Sequence, residues 1–292
     1  MSDTTPDLSY RRERLLGIFR AMPGTVVAFS GGVDSAVVAK AAYLALGDRA
    51  IAMTSDSPSV PRSELAAARE LAAIIGIRHV VLPTTEFDNP DYQKNGGDRC
   101  YFCKSELYTR IESQLESLGL DTVCSGANLD DLGDYRPGLT AAAEHHVRHP
   151  LQEAGFTKAH VRELAQHWRL PVWDKPASPC LSSRLAPGLE VTPERTLRVE
   201  LAEAYLKTLG IRDGRVRYHE GDLARVEVPG DDIARLLDPD VRQSLSTALH
   251  DIGFRFVSVD LDGFRSGSLN QLVSLELKSR HTGTRTPLTS PT

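Results

Sequence analysis

Six residues constrain this chain more than any others: Ser30-Gly31-Gly32-Val33-Asp34-Ser35. They follow an apolar run, Thr25-Val26-Val27-Ala28-Phe29, and open a helical pattern beginning Ala36-Val37-Val38-Ala39-Lys40-Ala41-Ala42. The order is strand, tight glycine turn, helix. Glycines suit such a turn when backbone N–H groups must approach an anion with no Cβ in the way, and the helix N-terminus adds its positive dipole end. Ser30 and Ser35 add hydroxyl donors. No Gly-Lys-Ser/Thr follows, so the loop lacks the lysine that reaches terminal phosphates in Walker-type loops. The bland alternative is a strand-to-helix turn that holds no ligand.

The rest of the chain repeats that rhythm. After a helical stripe at Leu15, Leu16, Ile18, Phe19 and Met22, strand candidates at 25–29, 50–54, 78–82 and 121–125 alternate with helical segments at 34–46, 62–75, 104–118, 137–146 and 157–168. Alternation of this kind predicts an α/β fold with a doubly wound parallel sheet, and a ligand at the carboxyl ends of its strands. Prolines at 171, 176, 179, 187 and 193 make 171–192 an active loop and linker. A smaller C-terminal α/β domain follows, with a helix from Thr192-Pro193-Glu194 to Leu209, strands at 214–219, 223–228 and 253–259, and a helix at 238–250. The division expected is 1–185 for the phosphate-loop domain, 192–276 for the smaller one and 280–292 for a disordered tail.

With 292 residues, 41% of them hydrophobic, the chain can bury two cores, and its net charge of −5 gives no global attraction to nucleic acid or an anionic membrane. The polar N-terminus has no signal-like apolar segment, and no apolar run reaches membrane-spanning length. A cytoplasmic location is therefore expected, where four cysteines act as thiols, metal ligands or reactive groups instead of structural disulfides.

Asp98-Arg99-Cys100-Tyr101-Phe102-Cys103-Lys104 places two cysteines three apart at the mouth of a helix. Cys180, in Ser178-Pro179-Cys180-Leu181-Ser182-Ser183-Arg184, could supply a third ligand if the proline-rich loop folds back. Three cysteines on a four-iron cluster leave one iron without a protein thiolate, a position that could carry a sulfide. Zinc with a fourth ligand, a redox pair and a structural role stay open. Cys124 ends an apolar strand and reads as a small core residue.

Three further groups bear on chemistry. Ser125-Gly126-Ala127-Asn128-Leu129-Asp130-Asp131 sits where the sheet's carboxyl edge should be, and it either holds magnesium or forms an Asx-rich turn; Asp134, Tyr135 and Arg136 continue it. Arg215-Val216-Arg217-Tyr218-His219 alternates, so Arg215, Arg217 and His219 should share a strand face, either to grip an anion or to pair with acids such as Glu203 or Glu227. His145, His146 and His149 are spaced wrongly for a ligand set and read as surface or local hydrogen-bonding residues.

Taken together, SGGVDS at 30–35, Arg99 to Lys104, Gly126 to Gly138, Pro150-Leu151 with Glu153-Ala154-Gly155, Pro179 to Arg184, Arg215 to His219 and Gly263-Phe264-Arg265 resemble the LarE family of PP-loop, N-type ATP pyrophosphatases. The resemblance implies an ATP-dependent sulfurtransferase of nickel-pincer nucleotide biosynthesis. ATP would adenylate a carboxylate of pyridinium-3,5-biscarboxylic acid mononucleotide, release pyrophosphate and leave an acyl-adenylate from which sulfur displaces AMP. It implies that Ser30, Gly31, Gly32, Asp34 and Ser35, with Gly126, bind ATP phosphates, and that Mg2+ lies near Asp34. Asp34, Glu203 and Cys180 would be catalytic. Ser183, Arg184, Arg215, Arg217, Asp231 or Asp232, and Arg265 would meet the substrate. Family members with one cysteine sacrifice the sulfur of the residue matching Cys180, whereas those with three hold a [4Fe-4S] cluster on residues matching Cys100, Cys103 and Cys180. This chain has all three, which favours the cluster, and its sulfide source is unassigned. The family assembles as a homo-hexamer, a dimer of trimers. The rival readings are a tRNA thiolase, an amidating ATP pyrophosphatase and a non-catalytic nucleotide-binding regulator.

Overall fold

The structure, a computed structural model, describes residues 7–132 and 136–265. Asp134, Tyr135 and the expected tail at 280–292 lie outside the described residues. Helix α1 (Leu8–Arg20) precedes β1 (Thr25–Ala28), α2 (Val33–Leu46), β2 (Ala50–Asp56), α3 (Arg62–Ile75) and β3 (Arg78–Pro83). Then come α4 (Pro90–Gln93), α5 (Arg99–Leu118), β4 (Val123–Cys124), α6 (Pro137–Glu144), α7 (Pro150–Glu153) and α8 (Lys158–His167). The strands form one parallel sheet in the order β3-β2-β1-β4.

Alternation along the strands explains why both faces are covered. Val27, Phe29, Ala50 and Ala52 join the core beneath α1, α2, α3 and α8, while Val26, Ala28, Ile51, Met53 and Val123 point to the other face, against Leu107, Tyr108 and Ile111 of α5 and Ala141 and Ala142 of α6. Helix α2 is buried nearly all round, through Val33, Ala36, Val37, Val38, Ala39, Ala41, Ala42 and Leu46. Its alanines bring the backbone close to the strands, which fixes where the phosphate loop ends. Helix α5 begins five residues before the periodicity suggests, so Cys100 and Cys103 lie within its first two turns, on one side.

The second unit contains α9 (Pro193–Thr208), β5 (Arg215–His219), β6 (Leu223–Glu227), α10 (Gly230–Leu236), α11 (Pro239–Ile252) and β7 (Phe256–Val259). Thr192 caps α9 by accepting from Arg195 N, with Pro193 in the first turn. The sheet runs β5-β6-β7, antiparallel then parallel. Its core of Val199, Ala202, Leu206, Val216, Tyr218 and Val226 also takes in Phe87, Tyr92, Leu181 and Leu185, so segments on either side of the cysteines are packed into this second core. Helix α10 carries no sequence period long enough to announce it. Among the described residues, no helix is long and apolar enough to cross a membrane.

Candidate active site

At the carboxyl end of β1 the chain turns through Gly31 at φ +73°, where a Cβ would stand 3.1 Å from that of Ala68. Gly32 is the extended N-cap of α2 and has no side chain to cap it, so the first N–H groups of that helix face outward. Ser35 Oγ donates to Gly32 O at 3.0 Å and lies 3.2 Å from Ser30 Oγ, which holds both hydroxyls at the loop. Gly126, past the end of β4, packs so tightly on α2 that a Cβ there would meet Ser35 N at 2.8 Å. The loop and the β4 edge therefore form one concave backbone surface.

Asp34 is held from two sides. Asn128 Nδ2 donates to Oδ1 at 3.1 Å, and Lys158 Nζ makes a short ion pair with Oδ2. Lys158 was not singled out in the sequence. It opens α8, where Thr157 and His160 form a capping box and Lys158 N donates to Asp130 Oδ2 at 2.9 Å. That box, Thr157 with a polar residue three positions on, marks a helix start and was the available signal. Lys158 brings the phosphate loop an ammonium that its own sequence lacks. Asn128 and Asp131 close a second capping box, so the acids at 130 and 131 order this turn.

The cysteines lie toward the β2 and β3 ends. Cys100 is exposed, and Cys103 and Cys180 are half-buried. The Cys180 loop is tied down by Leu181 N donating to Ser59 O at 2.8 Å, by Tyr92 Oη and Ser182 Oγ at 2.8 Å, and by Arg99 donating to Ser182 O at 2.9 Å. Asn95, itself at φ +52°, donates to Ala186 O at 2.8 Å and accepts from Arg99. Arg99, beside Cys100, thus binds the backbone two residues past Cys180, which holds the start of α5 against the Cys180 loop. Burial and then Glu86 push the Cys103 thiol well up. Cys124 stands apart, fully buried, its sulfur accepting from Thr25 Oγ1 at 3.3 Å and its thiol pushed up to about 12 by burial.

Among the described residues, no three His, Cys, Asp or Glu side chains are drawn together tightly enough for one metal ion. A four-iron cluster takes each thiolate on a different iron, so its donors stand further apart than the ligands of a single ion. Three thiols on two segments that pack together, with Arg99 and Lys104 beside them in the chain, match that donor set in kind.

The remaining expected residues gather at β5. Arg184 Nε pairs with Glu203 Oε1 at 3.0 Å, almost wholly buried, and Ser183 Oγ donates to Cys180 O at 2.6 Å. Arg217 does not share an open face with Arg215: its guanidinium is buried on Glu227 at 2.8 Å, which also takes Arg225 at 3.1 Å. Arg215 makes no ion pair among the described residues; it lies over the Phe264 ring at 5.1 Å and donates to Gly214 O at 2.8 Å. Burial lowers its pKa, and Arg184 and Arg217 nearby add to that against the opposing pull of Glu203. Phe264 N donates to Val228 O at 2.8 Å, and this brings exposed Arg265, paired with Asp262 at 2.7 Å, to the corner where α10 begins with exposed Asp231.

This geometry has relatives. Residues 19–114 match the family model described as NAD synthase. An uncharacterized protein of Synechocystis is 44% identical over 267 residues, covering 91% of this chain and 99% of that protein. The pyridinium-3,5-bisthiocarboxylic acid mononucleotide synthase of Lactiplantibacillus plantarum is 37% identical over 269 residues, covering 91% of this chain and 96% of the synthase. The chain belongs to the LarE family. As a LarE-family chain it is an enzyme of the PP-loop ATP pyrophosphatase class. An uncharacterized protein of Methanocaldococcus jannaschii, 26% identical over 241 residues, is similar across 82% of the chain.

Proposed function

We propose that this protein uses ATP to adenylate a carboxylate of pyridinium-3,5-biscarboxylic acid mononucleotide and then exchanges AMP for sulfur. The observation that carries the reading is the arrangement of the two halves of this chemistry along one sheet edge. The phosphate loop follows β1 and is backed by the chain after β4, whereas Cys100 and Cys103 follow β3 and the Cys180 loop is tied to the chain after β2 through Ser59. A free carboxylate has a poor leaving group. Once its oxygen has attacked the α-phosphorus and pyrophosphate has left, the acyl-adenylate expels AMP readily to a sulfur nucleophile. The N–H groups opening α2, with Ser30, Ser35 and Lys158, would hold the departing pyrophosphate. Asp34 would turn from Lys158 to Mg2+ as the triphosphate arrives.

Arg215 would receive the anionic mononucleotide, since of Arg184, Arg215 and Arg217 it is the one that makes no ion pair with a carboxylate among the described residues. Arg184, Glu203 and Arg217 would shape that pocket, and Asp231, Ser183 and Arg265 would border it. A four-iron cluster held by Cys100, Cys103 and Cys180 would supply sulfide on the iron that has no protein thiolate. The 1–185 portion would carry ATP chemistry, 192–276 would carry substrate recognition, and the assembly would be a homo-hexamer. Two measurements test this. With ATP and the mononucleotide, the nucleotide product should be AMP; ADP as the main product would sink the adenylation step. Mass spectrometry after one turnover should find the polypeptide unchanged, whereas loss of one sulfur from Cys180 would assign the sacrificial route instead.

A further inference from the structure

Arg11 lies on α1, which packs against α7 and α8, and it is 9% exposed. Its Nη1 donates to Gly155 O at 2.9 Å, whereas its Nε is closed off from solvent and meets no acceptor among the described residues. The ion pairs of α1 among the described residues are those of Arg12 and Arg20, both on Glu13, so neither Arg11 nor the exposed Arg14 has a carboxylate partner there. The two guanidiniums nevertheless adjoin: Arg11 Nη1 and Arg14 Nη1 lie 3.7 and 4.0 Å from where a Cβ on Gly155 would stand. His160 borders them, its ring edge-on to that of Phe156, the residue after Gly155. Thr157 N donates to His160 Nδ1 at 3.2 Å, so the neutral ring carries its proton on Nε2, which has no partner among the described residues. Burial and then the Arg11 charge hold His160 below the ordinary imidazole range, against the pull of Glu163 and Asp130.

A guanidinium this deeply buried is ordinarily paired, because an uncompensated charge that water hardly reaches is strongly unfavourable. A second guanidinium beside it adds repulsion unless an anion lies between them. One oxyanion relieves both, and the side of Arg11 left without an acceptor, Nε with Nη2, is an edge that takes two oxygens of one anion in parallel. We propose that Arg11 and Arg14, bordered by the Nε2–H of His160, form a binding site for a phosphate-type oxyanion that is separate from the phosphate loop. Lys158, which reaches Asp34 at that loop, stands two residues before His160 and so about 200° away around α8. The first turn of α8 thus lies between the two sites. The ligand is a small inorganic anion with at least two charges, either free orthophosphate or the pyrophosphate that adenylation would release.

The test saturates the full-length chain with α,β-methylene-ATP and Mg2+, then titrates in orthophosphate and pyrophosphate separately by calorimetry, for wild type, Arg11→Met and Arg14→Met. Wild type should take up one anion per chain with the phosphate loop filled. Arg14→Met should bind it about tenfold more weakly and Arg11→Met at least as much so, while both keep wild-type affinity for the ATP analogue. Tighter binding of pyrophosphate would identify the product of adenylation as the ligand, and tighter binding of orthophosphate a free phosphate; either supports the site. Because Arg14 is exposed, its variant should fold, and the anion should raise the unfolding midpoint of wild type but not that of Arg14→Met. An anion that binds only when the ATP analogue is absent, or that binds all three chains equally, would overturn the proposal.

Discussion

The phosphate loop and the cysteine site sit on the same sheet edge, yet they are built in opposite ways. The loop is contiguous: one hexapeptide supplies the turn, both hydroxyls and the first N–H groups of α2, and small residues hold it against the strands. The cysteine site is assembled from α5 and a loop nearly eighty residues later, and it is held by buried polar contacts through Tyr92, Asn95, Arg99 and Ser59. Local geometry forms the first with or without the rest of the site. The second depends on tertiary packing, so single changes should damage the two sites separately.

The largest effect should come from Asp34→Ala, with pyrophosphate release falling about 10³-fold, as expected when a charge-positioning group is lost from a closed site. Iron uptake should not change. In the reciprocal variant, Cys180→Ala, iron loading should be lost while ATP affinity, followed by calorimetry, stays near wild type. If either substitution abolished both properties, the two sites would be one cooperative structure and the contrast would fail.

Arg217 and Arg215 sharpen the comparison inside the second unit. Arg217→Ala leaves Glu227 still paired with Arg225, so unfolding should become easier by about 2 kcal/mol, less than for a buried pair with no other cation. Arg215→Ala should leave the denaturation midpoint close to wild type while weakening mononucleotide binding about tenfold, because a desolvated charge-assisted contact is lost. Equal destabilisation by the two would show that Arg215 is also structural.

Asn95→Ala should cost about 1–3 kcal/mol by removing its hydrogen bonds to Ala186 O and Arg99. Cys180 would then be less firmly placed, and its reaction with a thiol reagent should quicken while ATP binding is unaffected. An unchanged labelling rate would mean that other contacts suffice to dock the loop.

The smallest effect is a pH dependence. His79, His149 and His219 all titrate below the ordinary imidazole range, chiefly because they are buried. Below about pH 6.5 the unfolded chain therefore binds more protons than the folded one, so stability is full above that pH and falls as the solution is acidified. Thr54 Oγ1 gives its only proton to Phe29 O at 2.6 Å, so His79 Nε2, 2.8 Å away, must be the donor to Thr54, next to the strand that carries the phosphate loop. His79→Gln should flatten part of the fall in urea midpoint between pH 7.5 and 5.5. A profile identical to wild type would assign that fall to the other histidines lowered by burial, His149, His160 and His219.

Much of the fold could be read from the residues. The strands at 25–29, 50–54 and 78–82 and the helix at 62–75 stand close to where periodicity put them, because each carries its own apolar pattern and its own stop signal. The strand expected at 121–125 is present but short, as Val123–Cys124; α10 escaped, since a seven-residue helix leaves no period to detect and exists through its neighbours. At the site, SGGVDS was legible because strand, glycines and helix act within one turn of chain. Lys158 was not, because nothing local distinguishes a lysine that reaches a distant loop from one in solvent. The alternation at 215–219 suggested two arginines side by side on one face, and only the pairing of β5 with β6 showed Arg217 buried on Glu227 and Arg215 without a carboxylate. The sequence alone determined the parallel α/β core, the phosphate-binding turn and the inventory of thiols, all of which follow from short-range sterics and residue chemistry. Tertiary structure decided which charges neutralise one another and that the Cys180 loop docks against the start of α5, because those depend on distances between segments that sequence does not encode locally.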